Sequence, residues 1–178
     1  MKNSYWIDVR WIAFPLHPEI TQEGQSLEEL FSGRVLNLEE MQRHMKRVAA
    51  MEGLPMGDRT MTYNTRMAQE LGKWAESQGR GDEFHNRVFR AYFAEGKNIG
   101  NVSELVSLAG EIGLSGTDAQ EVMETRSFRE AVDRDWQHSR AMQVTAVPTF
   151  IMDSQAVVGA QPYEALERFF KHNGVKGR

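Results

Sequence analysis

The residues that most often do chemistry are sparse here, and the strongest of them is missing: the 178-residue chain contains no cysteine. Disulfides, thiolate catalysis and cysteine–metal sites are therefore excluded for these residues. His17, His44, His85, His138 and His172 include no His-x-x-x-His pair, so a metal site would need long-range assembly and none is expected. His85, beside Glu83 and Phe84, reads as a solvated or capping residue. Ser139 and Ser154 lack a Gly-x-Ser-x-Gly context and a local histidine, so a hydrolase nucleophile is not indicated. Glu28-Glu29 and Glu39-Glu40 fall in expected first helical turns, where the dipole favours acids, and serve as cap electrostatics. Gly96 to Gly100 lacks the strand and the Lys-Ser/Thr of a phosphate cradle. No catalytic side chain and no cofactor follow from residue types.

What remains is a stretch whose backbone could do the recognising. In Val144-Thr145-Ala146-Val147-Pro148-Thr149-Phe150-Ile151-Met152, apolar and β-branched residues flank one proline, and Asp153-Ser154 leads into Gln155–Val158. Pro148 cannot donate to a ladder, so it belongs at the start or edge of a strand, here the first strand of a hairpin.

The rest of the chain must position that hairpin. Apolar residues at 40% and charged residues at 26% are ordinary for a globular protein, and the length suits one domain with a substantial insertion. A net charge of −4 with both signs mixed argues against nucleic acid and anionic membrane as partners. No apolar run of spanning length occurs and no secretory leader is recognisable, so the expected location is the cytoplasm.

Tyr5–Phe14 alternates with period two, which predicts a strand stopped by Pro15 and Pro18. Ser26 with Glu29 is a capping box for a short helix ending near Gly33. Helices are then expected to start at Asn37, Asn64, Asp82, Asn101, Thr117 and Ser127. Their stripes include Met41, Met45, Met67, Leu71, Phe84, Leu105 and Trp136, and the methionines among them read as core rather than as a binding surface. A final helix is launched by Pro162 and carries Leu166, Phe169 and Phe170. The order is strand, many helices, two strands, helix. Residues 38–125 read as an all-helical insertion, and residues 1–37 with 126–178 as a small α/β core.

Several segments, in order, resemble one branch of the DsbA family. "FPLHPE" at 14–19, "YNTRMAQELGKWA" at 63–75, "GDEFHNRVFRAYFAEGKNIGN" at 81–101 and "VPTF…VGAQPYEAL" at 147–166 are similar to its cytosolic members. The resemblance implies an α/β thioredoxin-like core with a helical insertion, and disulfide oxidoreductase or isomerase activity. It also implies that backbone around a proline loop binds an extended peptide or thiol substrate, here at Ala146, Val147 and Pro148, with Ala146 where glycine is usual.

The resemblance breaks at the N-terminus. Family members carry a first strand and a Cys-x-x-Cys helix ahead of the strand that Tyr5–Phe14 resembles, and that first strand lies mid-sheet. The core is expected to be incomplete, with unpaired backbone facing a gap. The Tyr5–Phe14 strand could slide inward onto Thr149–Met152, a partner chain could fill the gap, or the natural protein could start upstream. The chain as written is expected to be redox-inactive, with a homodimer formed through the exposed strand edge. One alternative function is a redox-dead homologue that binds a peptide or partner. Another is the glutathione-using relatives, the kappa-class transferases and chromene-carboxylate isomerases.

Overall fold

Several helices begin where a side chain takes over a backbone N–H left without an intrahelical partner. Ser26 Oγ accepts from Glu29 N at 3.1 Å while the Glu29 carboxylate accepts from Ser26 N, a complete capping box. Asn37 and Asn101 accept from Glu40 N and Glu104 N at 3.0 and 3.2 Å. Ser115 accepts from Asp118 N at 3.2 Å. Each such cap is worth about 1 kcal/mol against alanine.

The computed structural model describes residues 4–33 and 37–178. Its elements, in chain order, are β1 (Gln25–Ser26), α1 (Leu27–Leu30), α2 (Leu38–Met51), β2 (Met61–Thr62), α3 (Arg66–Ser77), α4 (Gly81–Phe93), α5 (Val102–Glu111), α6 (Gly116–Thr125), α7 (Arg129–Ala141), β3 (Thr149–Met152), β4 (Gln155–Val158) and α8 (Tyr163–His172). Among the described residues no helix is long and apolar enough to cross a membrane.

Several boundaries differ from the sequence expectation. The N-cap of α3 is Thr65 rather than Asn64, whose Oδ1 accepts from Arg66 N at 2.8 Å. The next helix starts at Gly81 rather than Asp82. The cap of α6 is Ser115, not Thr117, and α7 begins at Arg129 rather than beside Ser127. Each shift is of one or two residues, the scale on which helix ends fray, and neither α3 nor α4 has a side-chain cap to fix its start.

The chain folds into two compact units, Met1–Leu16 with Arg134–Arg178, and His17–Asp133. In the second unit, α3, α4, α5 and α6 enclose a core that includes Leu71, Phe84, Leu105, Leu108 and Met123, all buried. Met67 joins this core, but α2 has no fully buried residue, so Met41 and Met45 are only half-covered. A two-residue ladder, Gln25 with Thr62 and Ser26 with Met61, ties the start of α1 to β2. Thr62 accepts from the Tyr92 hydroxyl at 2.9 Å, and the Arg59 guanidinium both bonds Tyr92 and lies over its ring.

The first unit is built on the hairpin. β3 and β4 are antiparallel, with Thr149 opposite Val158 and Met152 opposite Gln155, and Asp153 in the left-handed region turns the chain. α8 lays Phe169 and Phe170 on one hairpin face, where Met152 and Val157 meet Tyr5, Ile7 and Val175. Tyr5 packs edge-on against Phe170 at 5.6 Å.

The expected strand at Tyr5–Phe14 does not form. Tyr5 makes an isolated antiparallel bridge to Gly177, and β3 pairs with β4 alone among the described residues. The inward slide onto Thr149–Met152 is therefore not what this chain adopts. Alternation states which face of a segment prefers burial, but a strand also needs a neighbouring edge to satisfy its backbone. Here the backbone finds other partners: Trp6 N bonds Lys176 O, Arg178 N bonds Ser4 O, and Ala13 N is held at 2.9 Å by the carboxylate of the buried Asp135.

Candidate functional site

The site the sequence singled out is a loop between the end of α7 and β3. Val144 N bonds Ser139 O, and Gln143 sits in the left-handed region, so the helix closes tightly. Past that turn the Val147–Pro148 peptide bond is cis. The loop is fastened at both ends of Pro148. Thr149 Oγ1 donates to Ala146 O at 2.7 Å, and Pro148 O accepts from Gly159 N at 2.7 Å. Downstream, Gln161 Nε2 donates to Val158 O at 2.8 Å, holding the chain where it turns into α8.

Ala146, Val147 and Pro148 are thus brought together on one loop. Ala146 is half-buried, Pro148 is exposed, and Val147 keeps 43% of its surface in water. Among the described residues the Val147 backbone N–H and C=O have no intramolecular partner. Such a pair of groups on an exposed residue is what strand-type recognition of a peptide needs.

The hydrogen-bond register extends this surface. In an antiparallel ladder only alternate residues bond the neighbouring strand. Since Gly159 N bonds Pro148 O, the bonded pairs are Pro148 with Gly159, Phe150 with Val157, and Met152 with Gln155. Thr149 and Ile151 therefore point their N–H and C=O away from β4. Sequence reasoning had no means to find Thr149 and Ile151, because their role depends on which parity bonds β4.

No thiol lies on this loop or on β3. Among the described residues no group of His, Asp or Glu side chains could hold a metal. His85 lies in the helical unit, 3.2 Å from the Glu76 carboxylate, which also meets Lys73. One electrostatic contact within the first unit joins its N-terminal segment to α8. The Tyr5 hydroxyl donates to Glu167 Oε1 at 2.6 Å, and that bond, aided by burial, pushes the phenol up to about 12.

With this geometry in hand, comparison with known proteins gives the class. The model of the DSBA-like thioredoxin domain family matches residues 1–171, and the chain belongs to that family. A probable DsbA oxidoreductase, SCO1869 from Streptomyces coelicolor, superposes with a TM-score of 0.82 at 25% identity, covering 92% of this chain and 74% of its own. A 2-hydroxychromene-2-carboxylate isomerase shares the fold, with a TM-score of 0.65 at 18% identity over 77% of this chain and 66% of its own. The uncharacterised protein YwbO of Bacillus subtilis (strain 168) is 34% identical over 105 residues, which is 58% of this chain. The match spans about half of that curated relative, 52% of its length.

Proposed function

We propose that this chain provides the substrate-docking half of a DsbA-like site: an extended peptide or thiol substrate pairs along Ala146, Val147 and Pro148. The observation that carries this reading is the unpartnered, exposed backbone of Val147. These 178 residues hold no cysteine, so they do not themselves exchange disulfides. Any thiol that acts at this loop comes from another segment or another molecule. The cytosolic branch that its motifs resemble supports a cytoplasmic location.

The test is a pair of assays on the purified chain. A fluorescent extended peptide carrying a cysteine binds saturably, with no disulfide reduction of an insulin-type substrate, and Val147→Pro abolishes the binding. Turnover by the 178-residue chain, or failure to bind at millimolar peptide, overturns the reading. Intact mass and free-thiol count of the protein from its native cell then decide between two functions. Two titratable thiols with added mass identify a complete oxidoreductase, and none with a mass of 20.4 kDa identifies a redox-dead binding protein.

A further inference from the structure

We infer that Met41, Met45 and Met56, whose thioethers line one groove of the helical unit, form a peroxide-sensitive modification site, and that their oxidation releases α2 from the segment it rests on. The site lies within His17–Asp133 and uses no part of the docking loop.

The firm side of the groove is the segment from Met56 to Arg59. Gly57 N donates to Phe93 O at 2.9 Å, and a Cβ on Gly57 would come within 2.4 Å of Ala94 O, so this backbone lies directly on the end of α4. Arg59 bonds the hydroxyl of the buried Tyr92 and lies 4.7 Å over its ring.

The loose side is α2, which has no fully buried residue. Val48 and Met51 lie largely in water, 42% and 81% exposed. Its hold on the unit through long apolar side chains therefore falls to Leu38, Met41 and Met45, each half-buried. Met41 and Met45, one helical turn apart, line the groove together with Leu27 and Met56. Two polar ties add to this hold: Gln42 Nε2 donates to Arg59 O at 2.9 Å, and Lys46 pairs with the Asp58 carboxylate.

Thioethers are oxidised where solvent reaches them. With hydrogen peroxide, the sulfur lone pair takes one oxygen: an S–O bond forms and the O–O bond breaks. The proton on the transferred oxygen passes to the departing hydroxide, which leaves as water. Sulfur loses two electrons and the peroxide gains them. A polar sulfoxide now stands where an apolar contact was. It needs a donor, and obtains one by admitting water or by drawing Gln42 and Lys46 from Arg59 and Asp58. Either course loosens α2. Half-burial also makes the site selective, since Met67 and Met123, 7% and 3% exposed in the core of the same unit, are shielded.

The test treats the full chain with hydrogen peroxide and follows it by peptide mass spectrometry and amide hydrogen exchange. Met51 is expected to oxidise first, with exchange in α2 unchanged. Oxidation of Met41, Met45 and Met56 follows, and α2 then exchanges about tenfold faster while α3 to α5 hold. Methionine sulfoxide reductase restores the original exchange. Combining Met41→Leu, Met45→Leu and Met56→Leu keeps apolar side chains of similar size and makes α2 indifferent to peroxide. Groove methionines no more reactive than Met67 and Met123 overturn the inference. So does a fully oxidised groove with α2 exchange unchanged, or fast exchange that persists after enzymatic reduction. These are read on the wild type, so none depends on how the triple variant folds. A folded triple variant that still loosens in peroxide overturns it as well.

Discussion

Glu70, wholly buried on α3, accepts hydrogen bonds from Arg66 Nε at 2.6 Å and from Arg126 Nε and Nη2 at 2.7 Å each. Arg126 occupies the left-handed C-cap of α6, and Arg66 also reaches Asp133 at 2.8 Å and Arg129 O at 2.8 Å. One carboxylate thus fastens the middle of α3 to the end of α6 and, through Arg66, to the start of α7. A buried charge stripped of its partners costs far more than the intact cluster contributes.

Removing Glu70 takes the shared carboxylate from two guanidinium groups, Arg66 mostly buried and Arg126 part-exposed. Glu70→Ala is expected to destabilise the helical unit by about 3 kcal/mol, in the range for breaking a buried ion pair. Glu70→Gln keeps the shape but loses the charge, and falls between that variant and wild type. Urea unfolding followed by circular dichroism measures both. A loss within experimental error would show that Glu70 is not a fastener.

Acid should act through the same group. Burial alone raises the Glu70 pKa, but the hydrogen bonds from Arg126 and Arg66 more than offset it, and the net shift is downward. Glu76 is lowered by the same balance, with His85 and Lys73 as partners. A carboxylate with a depressed folded pKa contributes stability that is whole above its unfolded pKa and is lost as pH falls through the folded one. Melting temperature is therefore expected to hold from neutrality down to about pH 4.5 and to drop below it. Glu70→Gln flattens that drop, and melts at successive pH values show whether it does.

At the other end of the scale, the bond from Tyr5 to Glu167 keeps the phenol protonated. Its pKa rises from 10.0 to about 12, through the hydrogen bond first and burial second. A raised acid contributes stability below its unfolded pKa and loses it as pH climbs through the folded one. In an alkaline titration followed by phenolate absorbance, one tyrosine is expected to ionise last, and Tyr5→Phe removes that step. The phenylalanine ring keeps the edge contact with Phe170, so the variant should remain folded at neutral pH.

Local chemistry was legible in the sequence and long-range pairing was not. The caps at Ser26, Asn37 and Asn101 and the hairpin around Asp153 are decided within four residues, and each stands where the pattern put it. Ala146, Val147 and Pro148 could be named as candidates because their motif is contiguous. Tyr5–Phe14 carries strand periodicity, yet a ladder depends on an edge supplied from elsewhere in the chain, and β3 pairs only with β4 among the described residues. Nothing local marks Glu70, whose partner Arg126 lies 56 residues away. Which residues of β3 turn their backbone away from β4, Thr149 and Ile151, is fixed only by the register on β4.

The last prediction joins the hairpin to the docking loop. Thr149 Oγ1 donates to Ala146 O, spanning the proline and fixing the direction of the carbonyl beside Val147. Thr149→Val replaces the hydroxyl with a methyl of similar size and keeps a β-branched residue in β3, so the ladder to Val158 should persist. What is lost is one hydrogen bond, worth about 1 kcal/mol. If docking relies on a preset loop, peptide affinity falls about fivefold, while Thr149→Ser, which restores the donor, recovers it. Titration of the same fluorescent peptide against the three proteins reads the effect. Equal affinity across all three would mean that the loop holds its shape without Thr149 and that Pro148 and the Gly159 bond suffice to position Val147.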